Sequence, residues 1–395
     1  MRAIEADEVV VGMALPWSVF DRNGKLLFGQ GLIVTCQAQL EMLLSRGLIV
    51  PESATSGGAM APPADQPPLS RAKTAAHARS RMPPVFSSVL GLRQELLQLH
   101  DALLVGQGGD HGEQVRDLAT RLKALVMRDA DAALAAVQLQ VGDEVHIARL
   151  LHAAALCQLL TQALSLPMEE RLSLMAAALT FDLALTPIAP ILNRQRGGLT
   201  PEQRALVDAH PERSVELLRA AGVEDELWLD AILHHHERLD GTGYPHKLQG
   251  EAVQRGARML AVVDIYSAMV RQRGYRGAVH AQEALRNLFL ERGKAVDEAL
   301  ASLLIREIGV YPPGSLVQLV NGEIGMVVRR GSNAARPIVA RLINANGTLA
   351  AHAARRDTAD AEFAIRGSAA HEKYAALTAN VAELWAEEAR TGEAA

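Results

Sequence analysis

Cysteine is nearly missing from this chain of 395 residues, with only Cys36 and Cys157 present. That excludes a disulfide framework and a zinc site built on thiolates. A basic excess is missing as well. Lys and Arg number 40 against 45 Asp and Glu, a net charge of −5, which argues against a general binder of DNA or RNA. No apolar run passes for a membrane span: Leu172–Leu192 comes nearest, yet it contains Asp182, Pro187 and Pro190. A lone carboxylate is costly in lipid, so a buried helix is expected there. The opening segment MRAIEADEVVVGM is acidic where a signal peptide is basic, which predicts a cytoplasmic protein. No repeat of solenoid period is visible. What is plentiful is apolar mass. At 49% hydrophobic and 22% charged residues the chain can bury a sizeable core, and its length predicts two to four domains.

Residues 1–50 read as a small β-rich module. Two apolar runs, Val9–Val19 and Lys25–Val34, flank the hairpin signal Asp21-Arg22-Asn23-Gly24, and Thr35 caps a short helix carrying Leu40, Leu43 and Leu44. Residues 51–84 hold seven of the 17 prolines among Ala, Ser and Gly, the composition of a linker. Residues 85–130 form an amphipathic helical hairpin. Val89, Leu92, Leu96, Leu99 and Leu103 share one face of its first arm, and Val115, Leu118, Leu122 and Leu125 share one face of its second. That face serves ordinary packing or, alternatively, a homodimer or neighbouring domain.

Residues 131–310 are strongly helical, with Thr200-Pro201-Glu202-Gln203 marking a helix start. The pattern turns β-rich again over 311–368, read as a small barrel or curled sheet with a turn at Asn321-Gly322. Residues 369–395 close the chain with an amphipathic helix, His371–Ala389, and a tail.

The chemistry concentrates in the helical part. His146, Asp182, His210, His235, His236 and Asp264 supply imidazole and carboxylate without thiolate, a donor set suited to iron, manganese or a similar divalent ion. Asp182 lies in the apolar string LMAAALTFDLALTPIAPIL, so its carboxylate is expected to be buried and to need a partner. A metal is one such partner; an arginine or a helix N-terminus is the other. The most specific string is His235-His236-Glu237-Arg238-Leu239-Asp240-Gly241-Thr242-Gly243-Tyr244-Pro245. Adjacent histidines on a helix diverge by about 100° and can approach one centre from two directions. The following Asp240, Gly241, Gly243, Tyr244 and Pro245 define a tight turn.

This string resembles the signature of the HD-GYP family, bacterial phosphodiesterases that hydrolyse cyclic di-GMP at a centre of two or three metals. The likeness extends over about 135–310, taking in Ala209-His210-Pro211 and Val262–Ala268. The resemblance implies a mainly α fold, an all-helical HD-superfamily core flanked by small β-rich modules. It makes His146, Asp182, His210, His235, His236 and Asp264 metal ligands. Asp182 would be the catalytic bridge, with His146 and Asp264 on one side and His210, His235 and His236 on the other. It also implies that Arg273 and Arg276 hold the phosphates of cyclic di-GMP or a related nucleotide, and that iron or manganese binds as one or two ions per chain, or none.

The departures fall together. The family's His-Asp doublet followed by Ile-Gly-Lys reads Phe181-Asp182-Leu183-Ala184-Leu185 here, so one imidazole and one phosphate-binding lysine are gone. Gly142 stands where members with three metals place a glutamate. His152, about 240° round the helix from His146, faces away, and His234 could serve only with a rearranged turn. Two readings follow. One is a phosphodiesterase with impaired catalysis. The other is a non-catalytic scaffold that binds the nucleotide or a protein, such as a diguanylate cyclase.

Overall fold

The computed structural model describes short strand segments within the first fifty residues and then residues 84–385, apart from 107–108, 140–143, 196, 271–279, 294–295, 351 and 370–381. The chain divides into two compact units, Met1–Met82 and Pro83–Ala395. In the first, β1 (Arg2–Ala3), β2 (Val19–Phe20), β3 (Leu26–Phe28) and β4 (Ile49–Val50) form an antiparallel sheet in the order β1-β4-β2-β3. The pair β2–β3 joins across the Asp21–Gly24 segment, Val19 opposite Phe28. The helix after Thr35, the linker up to Pro83, Gly142, Arg273, Arg276 and most of the terminal helix lie outside the described residues.

The second unit opens on a helical hairpin, α1 (Pro84–Val105) and α2 (His111–Arg128). The Asp110 carboxylate caps α2 by accepting from the Glu113 amide at 3.1 Å. The apolar faces of both arms are buried, except that Val126 rather than Leu125 completes the second. They pack against each other, against α3 (Ala130–Leu139) and against α4 (Val145–Ala163), so their apolar pattern is used inside the unit. Helix α4 is apolar all round and buried along nearly its whole length, as expected of a central helix.

Helix α5 (Met168–Thr180) packs on α4 and then stops. The stretch Leu172–Leu192 is therefore not one buried helix. It breaks at Phe181-Asp182, passes through a single 3₁₀ turn, Leu183–Leu185, and resumes as the short α6 (Ala189–Arg194). Pro187 and Pro190 forbid the continuous helix, because each lacks the amide its preceding turn requires. The break takes Asp182 out of a helix and leaves it 5% exposed at the head of the turn.

Five more helices complete the core. Helix α7 (Pro201–Ala220) starts with the expected capping box, in which Thr200 and Gln203 exchange side-chain to backbone bonds. Helix α8 (Glu226–His234) is capped by Asp225. Helix α9 (Arg255–Met269) packs on α4 and α8, and α10 (Ala281–Leu290) and α11 (Glu298–Ile308) pack on α9.

After α11 the chain forms β5 (Leu316–Leu319), β6 (Ile324–Arg329), β7 (Ile338–Ile343), β8 (Arg355–Asp357) and β9 (Ile365–Ser368). All pairings are antiparallel, in the order β8-β7-β6-β5-β9. Among the described residues the order is linear, which makes an open sheet, the second of the two forms expected for this region. Val317, Leu319, Val327, Val339 and Tyr311 form its core. Buried Glu323 accepts from Arg356 at 2.8 and 2.9 Å and from Arg341 at 3.3 Å, and its carboxyl is held down to about 2 by those bonds, chiefly from Arg356.

Candidate metal centre

Three imidazoles converge, one from the middle of a helix and two from the end of the next. His210 lies within α7, His235 and His236 follow the last residue of α8, and one ring nitrogen from each lies within 4.8 Å of the others. The local sequence explains how the rings are aimed. Pro211, inside α7, lacks an amide hydrogen, so the carbonyl of Val207 four residues before it loses its helical donor. The Nδ1 of His210 takes that place at 2.5 Å. Likewise Ile232 has one of the last carbonyls of α8, left without a helical amide, and the Nδ1 of His235 donates to it at 2.6 Å. With both Nδ1 atoms donating, each Nε2 carries its lone pair into the centre, and the two Nε2 atoms face each other at 3.4 Å. Two facing lone pairs repel unless something positive lies between them.

Protonation does not supply that charge. Burial, reinforced by the neighbouring imidazole, pushes His210 and His235 down to about 3. His236 is driven well below its ordinary value by burial and by His210. Three neutral imidazoles that converge, two of them with tautomers fixed by carbonyls, are the donor set a divalent ion requires, so the residues present fit a metal here. The Asp182 Oδ1 lies 3.4 Å from the Nε2 of His210 and adds a carboxylate to the edge of the set.

The signature turn holds this arrangement. Buried Glu237 accepts from the amides of His246 at 2.6 Å and Leu248 at 3.0 Å, pinning the loop beneath the histidines. Asp240 folds the tip by accepting from the Thr242 amide and hydroxyl. Gly243 lies so close to its own loop that a Cβ there would come within 2.4 Å of the Arg238 amide nitrogen. That close approach brings Tyr244 over His236, ring centroids 4.7 Å apart and nearly parallel. The Tyr244-Pro245 peptide bond is cis.

The other side of Asp182 is built differently. Arg149, on α4, pairs with the carboxylates of both Asp182 and Asp264, the latter at 2.7 Å. Both carboxylates are buried, at 7% and 8% exposure, and the Arg149 side chain is largely so, at 14%. Phe181, fully buried, turns its ring toward Arg149, whose guanidinium carbon lies 5.2 Å from the ring centroid, and sets its edge on His235. His146 is also buried, neither ring nitrogen has a hydrogen-bond partner among the described residues, and burial together with Arg149 lowers it to about 4.

The six residues expected as ligands are thus brought together unequally. His210, His235 and His236 come together with Asp182 at their edge. Asp264 reaches Asp182 through Arg149, and the His146 ring has no hydrogen-bond partner among the described residues. Of the two partners open to Asp182 from sequence, the structure supplies the arginine. Arg149 escaped the sequence reading, although it is the only charged side chain in the apolar helix α4 and follows His146 by three residues, one turn along the same face. A lone cation in such a helix needs a buried anion.

His152 and His234 both point elsewhere, as expected. His152 packs against Tyr266, and His234 bonds the Asp230 carboxylate at 2.9 Å and His246 at 3.1 Å.

Comparison with known proteins agrees with this geometry. The family described as HD domain matches residues 92–300, over half the chain. The cyclic di-GMP phosphodiesterase PA4108 of Pseudomonas aeruginosa is 31% identical over 316 residues, covering 76% of this chain and 74% of that protein. The cyclic di-GMP phosphodiesterase response regulator RpfG of Xanthomonas campestris pv. campestris is 30% identical, over 54% of this chain and 53% of its own. A 3'3'-cGAMP-specific phosphodiesterase of Vibrio cholerae is 26% identical, over 55% of this chain and 42% of its own.

Proposed function

Because the chain belongs to the HD-GYP family of HD domains, we propose that it works in cyclic di-GMP signalling through a metal-dependent phosphodiesterase centre whose hydrolytic power is reduced. The observation that carries this reading is the convergence of His210, His235 and His236 beside Asp182, all three neutral and the first two with tautomers fixed by backbone carbonyls. Iron or manganese suits the donors. A bound divalent ion supplies Lewis acidity toward a phosphodiester oxygen and a water of lowered pKa.

The chain's own residues do the rest. Val207 and Ile232 orient two ligand rings through their carbonyls, and Tyr244 backs the third. Arg273 and Arg276 are assigned to the ligand's phosphates, where a planar guanidinium can donate two bonds at once. Impairment follows from Phe181, which offers no donor where the family has an imidazole, and from Leu185, which brings no charge to a phosphate. A cytoplasmic location goes with this reading, since the messenger is made and read there.

A second reading is favoured by the same two side chains: a binder that retains the dinucleotide without cutting it and signals by contact, to a diguanylate cyclase or to a second copy of itself. One experiment separates the two. The purified full chain is loaded with Mn²⁺ or Fe²⁺, mixed with cyclic di-GMP and, separately, with 3'3'-cGAMP, and the products are resolved by chromatography while binding is followed by calorimetry. Slow appearance of the linear dinucleotide from cyclic di-GMP is the expected result. Tight binding with no product after prolonged incubation would leave the scaffold reading. Neither binding nor turnover with either dinucleotide would end both.

A further inference from the structure

We infer that Arg149 is the resident counter-ion of the carboxylate half of the centre, and that the centre therefore takes one divalent ion, on the histidine side, rather than a pair. The inference rests on the reading of His210, His235 and His236 as a metal centre, and it concerns what stands beside that ion.

Two buried carboxylates left without a cation would carry two negative charges in apolar surroundings, which is too costly to persist. Here the charge is met from within the chain. One guanidinium spans Asp182 and Asp264, using its planar fork to donate to both. Phe181 supplies a third support. Its ring cannot ligate a metal, but its face lies 5.2 Å from the guanidinium carbon and accommodates a cation. The residue that subtracts a ligand from this half thus also favours the arginine that fills it.

Electrostatics then disfavours a second metal. An ion coordinated by Asp182 and Asp264 would have to share both carboxylates with a guanidinium already bonded to them, placing three positive charges against two negative ones in a buried space. Arg149 cannot discharge by losing its proton at any accessible pH. His146, buried with neither ring nitrogen partnered, is the donor such an ion would have taken.

The test counts ions. The full chain is stripped of metal and titrated with Mn²⁺, with bound metal measured by equilibrium dialysis and pairing read from the electron paramagnetic resonance spectrum. The wild type is expected to bind one Mn²⁺ per chain with the spectrum of an isolated ion. Arg149→Gln keeps a similar shape without the charge and frees His146, Asp182 and Asp264. It is expected to bind one ion more, at least ~100-fold tighter than any second ion on the wild type, with the spectrum of a coupled pair. Arg149→Lys retains the cation and should keep the wild-type count, which guards against a Gln variant that fails to fold. Phe181→His, which restores an imidazole but leaves Arg149 in place, should also keep it.

Two ions on the wild type, equal counts for wild type and Arg149→Gln, or a second ion on Phe181→His alone would each overturn the inference. A wild type that binds no ion while Arg149→Gln binds one would uphold the role of Arg149 and would instead remove the reading of the histidine triad.

Discussion

Asp182 sits between two neighbourhoods that use different means to satisfy one buried carboxylate. On one side three imidazoles, kept neutral by burial, point lone pairs into a common space. On the other, a guanidinium bridges to a second carboxylate and an aromatic ring faces the cation. The first side is a set of donors in want of a cation, and the second carries its own. Neutral imidazoles keep their donors without carrying charge, whereas paired carboxylates cannot stay buried and ionised without a counter-ion. Phe181 therefore does more than withhold a ligand, because its ring also faces the protein cation. The β-sheet shows the same chemistry with the signs exchanged, one carboxylate of Glu323 held by Arg356 and Arg341.

The largest expected effect comes from cutting each neighbourhood once. His235→Ala removes a convergent donor and should weaken Mn²⁺ binding by more than ~100-fold, since even loss of a residue that merely orients a ligand costs roughly 10–100-fold. His146→Ala should change it by no more than about threefold. Calorimetric titration of both variants checks the contrast, and equal losses would mean that the two sides act as one centre.

Next in size is Gly243→Ala. The added Cβ would collide with the Arg238 amide, so the loop must move and Tyr244 with it. A stability loss of about 2 kcal/mol is expected, the scale of a strained core substitution. Mn²⁺ affinity should fall roughly tenfold, because His236 loses its backing ring. Urea unfolding followed by metal titration of the folded variant reads both, and unchanged affinity would show that the turn does not position the histidine.

Acid sharpens the comparison further. His100, His146, His210 and His235 are all held neutral, with values near 3 to 4 against an ordinary 6.5, burial being the first cause in each case. In the unfolded chain they bind protons below pH 6.5, while the folded chain refuses them until about pH 3 to 4. Their stabilising contribution is therefore present above pH 6.5 and is lost as pH falls toward the folded values. For His100, which bonds Thr186 and the Leu179 carbonyl, the loss between pH 7 and pH 5 is about 1–2 kcal/mol. Urea midpoints of metal-free protein at the two pH values measure the total, and the same protein with His100→Gln should show a shallower slope. A flat profile would mean that the imidazoles are not buried as described.

Much of this was legible in the sequence, and what was not has a common cause. The capping box at Thr200, the hairpin faces around Leu96 and Leu122 and the buried Asp182 follow from local spacing and polarity, whereas the meeting of the histidines was implied only by the resemblance of the His235–Pro245 string to a family signature. The break at Phe181 could have been read from Pro187 and Pro190, but the apolar run around them argued for a single helix. Arg149 was hidden because its role depends on Asp182 and Asp264, which lie 33 and 115 residues further along the chain. A side chain's donor capacity is written in its identity, but the place where its charge is spent depends on tertiary contacts.

The smallest expected effect is the most local test. His234 adjoins His235 in sequence, yet its ring leaves the centre to bond Asp230, one turn back on α8, and His246 beyond the turn. A partly exposed pair of this kind contributes a fraction of a kcal/mol, about 0.3–0.5. His234→Ala should thus lower stability by less than ~1 kcal/mol and alter Mn²⁺ affinity by less than about twofold, against the large loss expected one residue away. The contrast follows from the helix end. At His235 the ring can reach back to the Ile232 carbonyl and turn its Nε2 inward, whereas the His234 ring, still within the helix, points about 100° aside. If the two alanine variants lost metal equally, the three-histidine set would have to include His234, and the division of the centre around Asp182 would need to be redrawn.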